Sequence, residues 1–407
     1  MDMLNTLLIC LIGSYLFSWI LNRMGLPKVL GPMFFGVLLT APALSNQLLS
    51  GNSMEIIGVL KDIALVFLLF FVGLKIDLRE FRKAERRSAY VALLGAVFPF
   101  VLGFLATLLL FKLGIIGNIV PAEHLYATAV IIGLCISITA EAVSIQILEE
   151  LKLLTTRIGE TIIEAGVIDD IIGIILTAVI VAFAHSSAFL QVGMLIVLLE
   201  IALFGAVVLL IAALVPKLFH IVEREKSEID VFAVSLIIAL FLAVAAQELE
   251  LGSILGALIG GVIIRHTLLT GTKLEKKEER HITRIVEMTA FAFLAPFFFI
   301  WIGANTELSI LYTNPWAAVI ITAVAIIGKL LGAVAGNWIS KGSLHEGFII
   351  GWGMNTRGEI ELIIAAIILS KGMISRDVFS LLIFMAFATT VISPVVFKYL
   401  IRKKHCV

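Results

Sequence analysis

The 407 residues carry 30 Lys+Arg against 30 Asp+Glu, a formal net charge of zero, and 60% of them are hydrophobic. With a mean hydropathy of +1.11, that composition excludes a soluble domain built around one core and points to an all-α polytopic membrane protein. The neutral balance supplies no bulk attraction to nucleic acid. Three dispersed cysteines, Cys10, Cys135 and Cys406, offer neither a disulfide framework nor a metal-ligand spacing.

Hydropathy predicts about thirteen spans of the length a helix needs to cross a bilayer. In chain order they are Met3 to Leu21, Lys28 to Leu44, Ile56 to Ile76, Ala89 to Gly114, His124 to Leu148, Arg157 to Ala184, Gln191 to Val215, Asp230 to Leu249, Leu251 to Leu268, Val286 to Ala304, Pro315 to Ser340, Glu346 to Leu369 and Asp377 to Ile401. Met1 to Leu21 lacks a basic leader and a small-residue cleavage site, so it reads as the first span and not as a removable signal. The mixed run Lys273 to Arg280, KLEKKEER, reads as a solvated loop.

Lys and Arg gather in alternate connections. These hold Arg23 and Lys28, then Arg79, Arg82, Lys83, Arg86 and Arg87, then Lys152 and Arg157, then Lys217, Arg224 and Lys226, then six basic residues from Arg265 to Arg284, then Lys341, and finally Arg402, Lys403 and Lys404. Because basic residues concentrate on the cytoplasmic side, the N-terminus is expected outside a cell (plasma or inner) membrane and the C-terminus in the cytoplasm.

The sixth span carries the most demanding feature, the adjacent acids Asp169 and Asp170. From Asp170 to Ala184 is roughly 20 Å of helix, so the pair is expected near the midplane of a hydrocarbon core about 30 Å thick. Ionisable groups at that depth face a bundle interior or water-filled cavity and mark an ion or proton path.

A shift of seven spans sets each early span opposite an antiparallel counterpart, the pattern of two inverted repeats. The fifth and twelfth spans then correspond, and both are polar in the middle. The fifth contains Ser137, Thr139 and Glu141; the twelfth contains Asn355, Thr356, Arg357, Glu359 and Glu361. Interrupted segments at matching places in two halves point to a midplane binding site.

Three spans thus bring charge to depth: Asp169 and Asp170, Lys329 in the eleventh, and Arg357 with Glu359 and Glu361 in the twelfth. Successive helical residues point about 100° apart, so the two aspartates cannot face one partner. One can meet Lys329 while the other faces the cavity. A desolvated carboxylate resists being bare and holds either a proton or a small cation. Competition between the two at one alternating site is exchange, and hard oxygen ligands suit sodium, potassium or lithium.

The chain resembles the cation:proton antiporter superfamily, in particular its Kef-type and bacterial sodium/proton exchanger branch. The likeness covers nearly the whole chain and rests on LNRMGLPKVLGPMFFGVLL at Asn22 to Leu39, LFFVGLKIDL at Leu69 to Leu78, SITAEAVSIQILEELKLL at Ser137 to Leu154, the Asp pair, QELELGSILGALIGGVII at Gln247 to Ile264, GKLLG at Gly328 to Gly332 and GMNTRGEIELI at Gly353 to Ile363. The resemblance implies a sodium/proton antiporter fold of inverted repeats with discontinuous crossing helices. It also implies that Asp170 carries the ion and proton, that Asp169 pairs with Lys329, that Thr139 lies at the unwound crossing with Ser137 beside it, and that Arg357 and Glu359 belong to the opposite crossing helix. Family members are homodimers in the lipid bilayer, which implies dimerisation helices over residues 1–88 and 185–304 and a mobile core over 89–184 and 305–407.

Two departures bear on this resemblance. Glu141 is an acid the Kef-like pattern does not usually carry, and Glu160 and Glu164 add acids to one half of the sixth span. With Asn355, Glu141 and Glu164 stand as additional candidates that shape ion choice or a proton access route. Glutathione-gated Kef proteins also carry a cytoplasmic nucleotide-binding domain, a module this chain, ending at RKKHCV, is expected to lack.

The residues call for no cofactor and no enzyme chemistry. A carrier for a small organic anion is the alternative within transport, with Arg357 as the carboxylate ligand, though an Asp pair beside it argues against an anionic substrate. An intramembrane aspartyl protease needs acids on two facing helices, which adjacent acids on one helix do not provide.

Overall fold

The computed structural model describes residues 3–23, 28–41, 52–76, 85–139, 142–185, 194–223, 228–249, 251–270 and 273–405. All regular structure among them is helical. In chain order the helices are α1 (Met3–Arg23), α2 (Leu30–Leu39), α3 (Asn52–Lys75), α4 (Arg86–Lys112), α5 (Leu125–Ser137), α6 (Ala142–Glu150), α7 (Arg157–His185), α8 (Met194–Glu223), α9 (Glu228–Glu248), α10 (Ser253–Thr270), α11 (Lys273–Met288), α12 (Ala295–Ala304), α13 (Ile310–Thr313), α14 (Pro315–Ile339), α15 (Leu344–Gly353), α16 (Glu359–Ser370) and α17 (Arg376–His405).

Eight of the described helices are long and apolar enough to cross a membrane, and four shorter apolar ones accompany them. Two of the interruptions are those the sequence leads us to expect. The fifth predicted span arrives as α5 and α6, and the twelfth as α15 and α16, each broken at its polar middle. The charged run Lys273 to Arg280 is not a loop but the start of α11, which continues through a π-helical turn, Thr289–Leu294, into α12. Lys, Glu and Arg are good helix formers, so helical propensity carries the chain through a stretch that hydropathy reads as a break.

The chain divides into two compact units. One comprises Met1–Leu21, Gly31–Leu78 and Ala178–Ala304; the other comprises Asn22–Leu30, Arg79–Thr177 and Asn305–Val407. In the first, α3 packs on α10 and α12, and α10 packs on α9. Its core joins Phe70, Phe71 and Leu74 of α3 to Ile238 and Leu242 of α9 and Ile264 of α10. Ile282 and Val286 of α11 close the same core, so the apolar face of that charged helix is buried.

The second unit is held by α14 lying along α4. Gly328, Gly332 and Gly336 form a stripe on α14 that admits no side chain. A methyl on Gly328 would lie 2.6 Å from the Pro99 Cα, one on Gly332 would lie 2.8 Å from the Gly95 Cα, and one on Gly336 would lie 2.5 Å from the Tyr90 carbonyl oxygen. Small residues four apart let two backbones touch, the usual means of helix association in lipid. This close approach brings Lys329, which neighbours Gly328 in sequence, against α4, where a methyl on Gly95 would lie 3.7 Å from its Nζ. On the other sides α5 packs on α4, and α15 and α17 pack on α14.

Candidate ion-binding site

The middle of α7 brings Asp169 into the interior of the second unit, where it is 1% exposed. Lys329, fully buried on α14, places Nζ 2.9 Å from Asp169 Oδ2. The Thr139 hydroxyl donates to the same oxygen at 2.5 Å. Lys329 Nζ also donates to the Ser137 carbonyl at 3.3 Å. The attraction between two buried charges offsets their desolvation only when hydrogen bonds complete the pair, and the break after α5 provides them. Asp170, one residue on and about 100° round the helix, is half-buried.

The break between α5 and α6 exists because α5 stops at Ser137 and the chain becomes extended at Ile138 (φ −78°, ψ 139°). Helix termination leaves the last carbonyls without intrahelical partners, and the second break supplies donors to them. Arg357 Nη1 donates to the Cys135 carbonyl at 3.2 Å and to the Ile138 carbonyl. Its Nε lies 3.8 Å from Glu361 Oε2 on the first turn of α16.

The second break, residues 354–358, is itself tethered by hydroxyls. Thr390 of α17 donates to the Arg357 carbonyl at 2.8 Å and Ser393 donates to the Asn355 carbonyl at 3.2 Å. Ser144 of α6 donates to the Gly353 carbonyl at 2.5 Å, fastening the far side of the first break to the near side of the second. Gly173, one turn past Asp169, lets α7 approach, since a methyl there would lie 2.8 Å from Ile138 Cγ1.

The structure therefore gathers Asp169, Thr139, the Ser137 carbonyl, Lys329 and Arg357 around the end of α5. The Ser137 hydroxyl is not part of that cluster, because it donates back to Leu134 at 2.8 Å. Asn355 is fully buried in the second break, and among the described residues its side-chain amide has no hydrogen-bond partner. Glu141 lies outside the described residues, as does the Glu359 side chain. Glu164 is held elsewhere, where its Oε2 accepts from the Glu85 backbone N–H at 3.0 Å and the Ser88 hydroxyl at 2.7 Å at the start of α4.

Sequence reading did not single out Cys135 and Ile138, whose carbonyls accept from Arg357, nor Ser144, Thr390 and Ser393. Backbone acceptors leave no trace in residue identity. The hydroxyls did leave one, since Thr389, Thr390 and Ser393 form a polar cluster inside the otherwise apolar last span. Arg87, read from its loop as a topology signal, is buried, and donates to Asn337 at 2.6 Å and to Glu346 at 3.0 Å.

Relatives share this chain over its whole length. It is 28% identical to a Na(+)/H(+) antiporter of Enterococcus hirae over all of both chains. It is 29% identical to the Na(+)/H(+)-K(+) antiporter GerN of Bacillus cereus, covering 93% of this chain and 90% of that one. The fold matches the sodium proton antiporter MjNhaP1 of Methanocaldococcus jannaschii with a TM-score of 0.69 at 18% identity, over 97% and 95% of the two chains. The family model described as sodium/hydrogen exchanger, transmembrane, matches residues 7–403. The chain belongs to this sodium/hydrogen exchanger family of multi-pass membrane transporters, and it is a transporter and not an enzyme.

Proposed function

We propose that this protein is a secondary antiporter exchanging a monovalent cation for protons by alternating access, with Asp170 as the carrier and sodium as the first cation, potassium or lithium following. The observation that carries the reading is the engagement of Asp169: its Oδ2 receives both Lys329 and Thr139. Its neighbour Asp170, about 100° round α7, is the acid assigned to the mobile ion. A cation bound there displaces a proton and a proton displaces a cation, so one carboxylate couples the two fluxes. Thr139, the Ser137 carbonyl and Asn355 contribute neutral oxygens beside it, and Arg357 and Glu359 balance charge at the second break.

The names of the relatives support sodium, and that of GerN supports potassium as well. An anionic substrate is disfavoured by a buried aspartate at the centre of the site. Residues 89–184 and 305–407 form the mobile core on this reading, and 1–88 and 185–304 form the dimerisation domain of a homodimer in the cell membrane, N-terminus outside. The clustering of Asp169, Thr139, Lys329 and Arg357 within one compact unit supports that division.

The test is proton flux in proteoliposomes under an imposed pH gradient, with sodium, potassium and lithium added in turn to wild type and Asp170→Asn. Cation-evoked flux that disappears in the variant is the expected result. Absence of flux with every monovalent cation, in correctly inserted wild type, overturns the antiporter reading.

A further inference from the structure

Glu361 stands one turn beyond Arg357, on the first turn of α16. It is 2% exposed, and among the described residues neither of its carboxylate oxygens finds a hydrogen-bond donor. Its ion pair with Arg357, at 3.8 Å, is longer than a hydrogen bond. The guanidinium aims Nη1 at the carbonyls of Cys135 and Ile138 instead. A carboxylate buried at that depth with no donor on either oxygen is costly as a bare anion. As a neutral acid it brings its own proton and the cost falls.

Among the described residues the groups facing Glu361 are few. Arg357 on its own segment and the Cys135 thiol on α5 are the titratable ones. The other helix packed on α16 is α17, whose buried polar residues are Ser380, Thr389, Thr390 and Ser393. The charged residues of α17 lie towards its ends, at Arg376, Asp377, Lys398 and Arg402 to Lys404.

We propose that Glu361 is a proton-binding site separate from the Asp169–Asp170 pair, emptied when the cation site fills and loaded when it empties. The link between the two sites is the end of α5. Ionised Glu361 offsets the charge of Arg357, whereas protonated Glu361 leaves that charge acting on the Cys135 and Ile138 carbonyls. Ser137, between them, already takes Lys329. An incoming cation therefore meets one more positive charge when Glu361 is neutral. A proton on Glu361 weakens cation binding, and by reciprocity a bound cation expels that proton. The coupling to a cation rests on the antiport reading; the protonation of Glu361 does not.

Infrared difference spectroscopy of the full chain in lipid, titrated in pH with and without sodium, tests this directly. Wild type should show a carboxylic-acid C=O band that is lost in Glu361→Gln, returns at a shifted frequency in Glu361→Asp, persists in Asp170→Asn, and loses intensity when sodium is added. Identical spectra for wild type and Glu361→Gln across the pH range would overturn the proposal and leave Glu361 a permanently ionised partner of Arg357. Should Glu361→Gln not fold, Glu361→Asp decides, because an unshifted band assigns the proton elsewhere. A band that titrates but ignores sodium, in protein that does exchange sodium for protons, overturns the coupling. Absence of exchange with a titrating Glu361 band sinks the antiport reading and leaves the proton site standing.

Discussion

Lys329 from α14 and Arg357 from the break between α15 and α16 place their cationic heads on one short stretch at the end of α5. Lys329 Nζ reaches the Ser137 carbonyl at 3.3 Å, and Arg357 Nη1 reaches the carbonyl of Cys135 at 3.2 Å and that of Ile138. Carbonyls left over at a helix C-terminus carry partial negative charge, and in a dry interior they need donors. The broken helix is stable because these two cations answer its open end, and one of them also meets Asp169. Binding-site charge and backbone termination are therefore the same problem in this protein.

Replacing Lys329 with Ala strands Asp169 without its cation. Breaking a buried pair by removing one partner costs about 3–5 kcal/mol, so the melting temperature in detergent should fall clearly. Adding Asp169→Asn should recover part of that loss, because the double variant no longer buries an unpaired charge. An unchanged melting temperature for Lys329→Ala would remove the pair from the account of stability.

Gly332→Leu should be more damaging than any surface substitution. The new side chain meets the α4 backbone at Gly95 and Leu94, and backbone cannot swing aside. Separation of α14 from α4 carries Lys329 away from Asp169, so both yield of folded protein and cation-driven proton flux should collapse. Gly205→Ala serves as the control, since nothing lies within 4 Å of a methyl there. Equal behaviour of the two variants would show that the stripe does not govern the packing.

Glu164 joins α7 to the start of α4 by accepting from the Glu85 N–H and the Ser88 hydroxyl. Glu164→Ala removes an acceptor at a helix N-terminus, worth about 0.5–2 kcal/mol. Thermal stability should drop by that order while proton flux per folded molecule stays near wild type. The opposite pattern, full stability with lost flux, would assign Glu164 to proton movement.

Orientation is checked by labelling. A single cysteine introduced at Lys404 should react with an impermeant maleimide only when the reagent is given access to the cytoplasmic face. Reaction from outside intact cells would invert the arrangement drawn from the Lys and Arg distribution.

Composition and hydropathy alone identified an all-helical membrane protein, because a chain 60% hydrophobic can satisfy its backbone in lipid only as helices or a closed barrel. The adjacency of Asp169 and Asp170, and the polar middles of the fifth and twelfth spans, were equally legible, since charge inside an apolar run needs a reason. Spacing alone left open which aspartate takes Lys329, an assignment the family resemblance supplied and the pair with Asp169 matches. Residue identity could not say that the Ser137 carbonyl and not its hydroxyl serves the cluster, or that Glu164 accepts hydrogen bonds at the start of α4. Each of these depends on where a helix stops and which face it turns, and those are decided by packing: the glycine stripe of α14 against α4, and Gly173 against Ile138. Hydropathy sums over a window and merges broken halves, so in the sequence only the polar middles and the resemblance signalled the interruptions; the tertiary structure fixes where α5–α6 and α15–α16 break and supplies Lys329 and Arg357 to satisfy the end of α5.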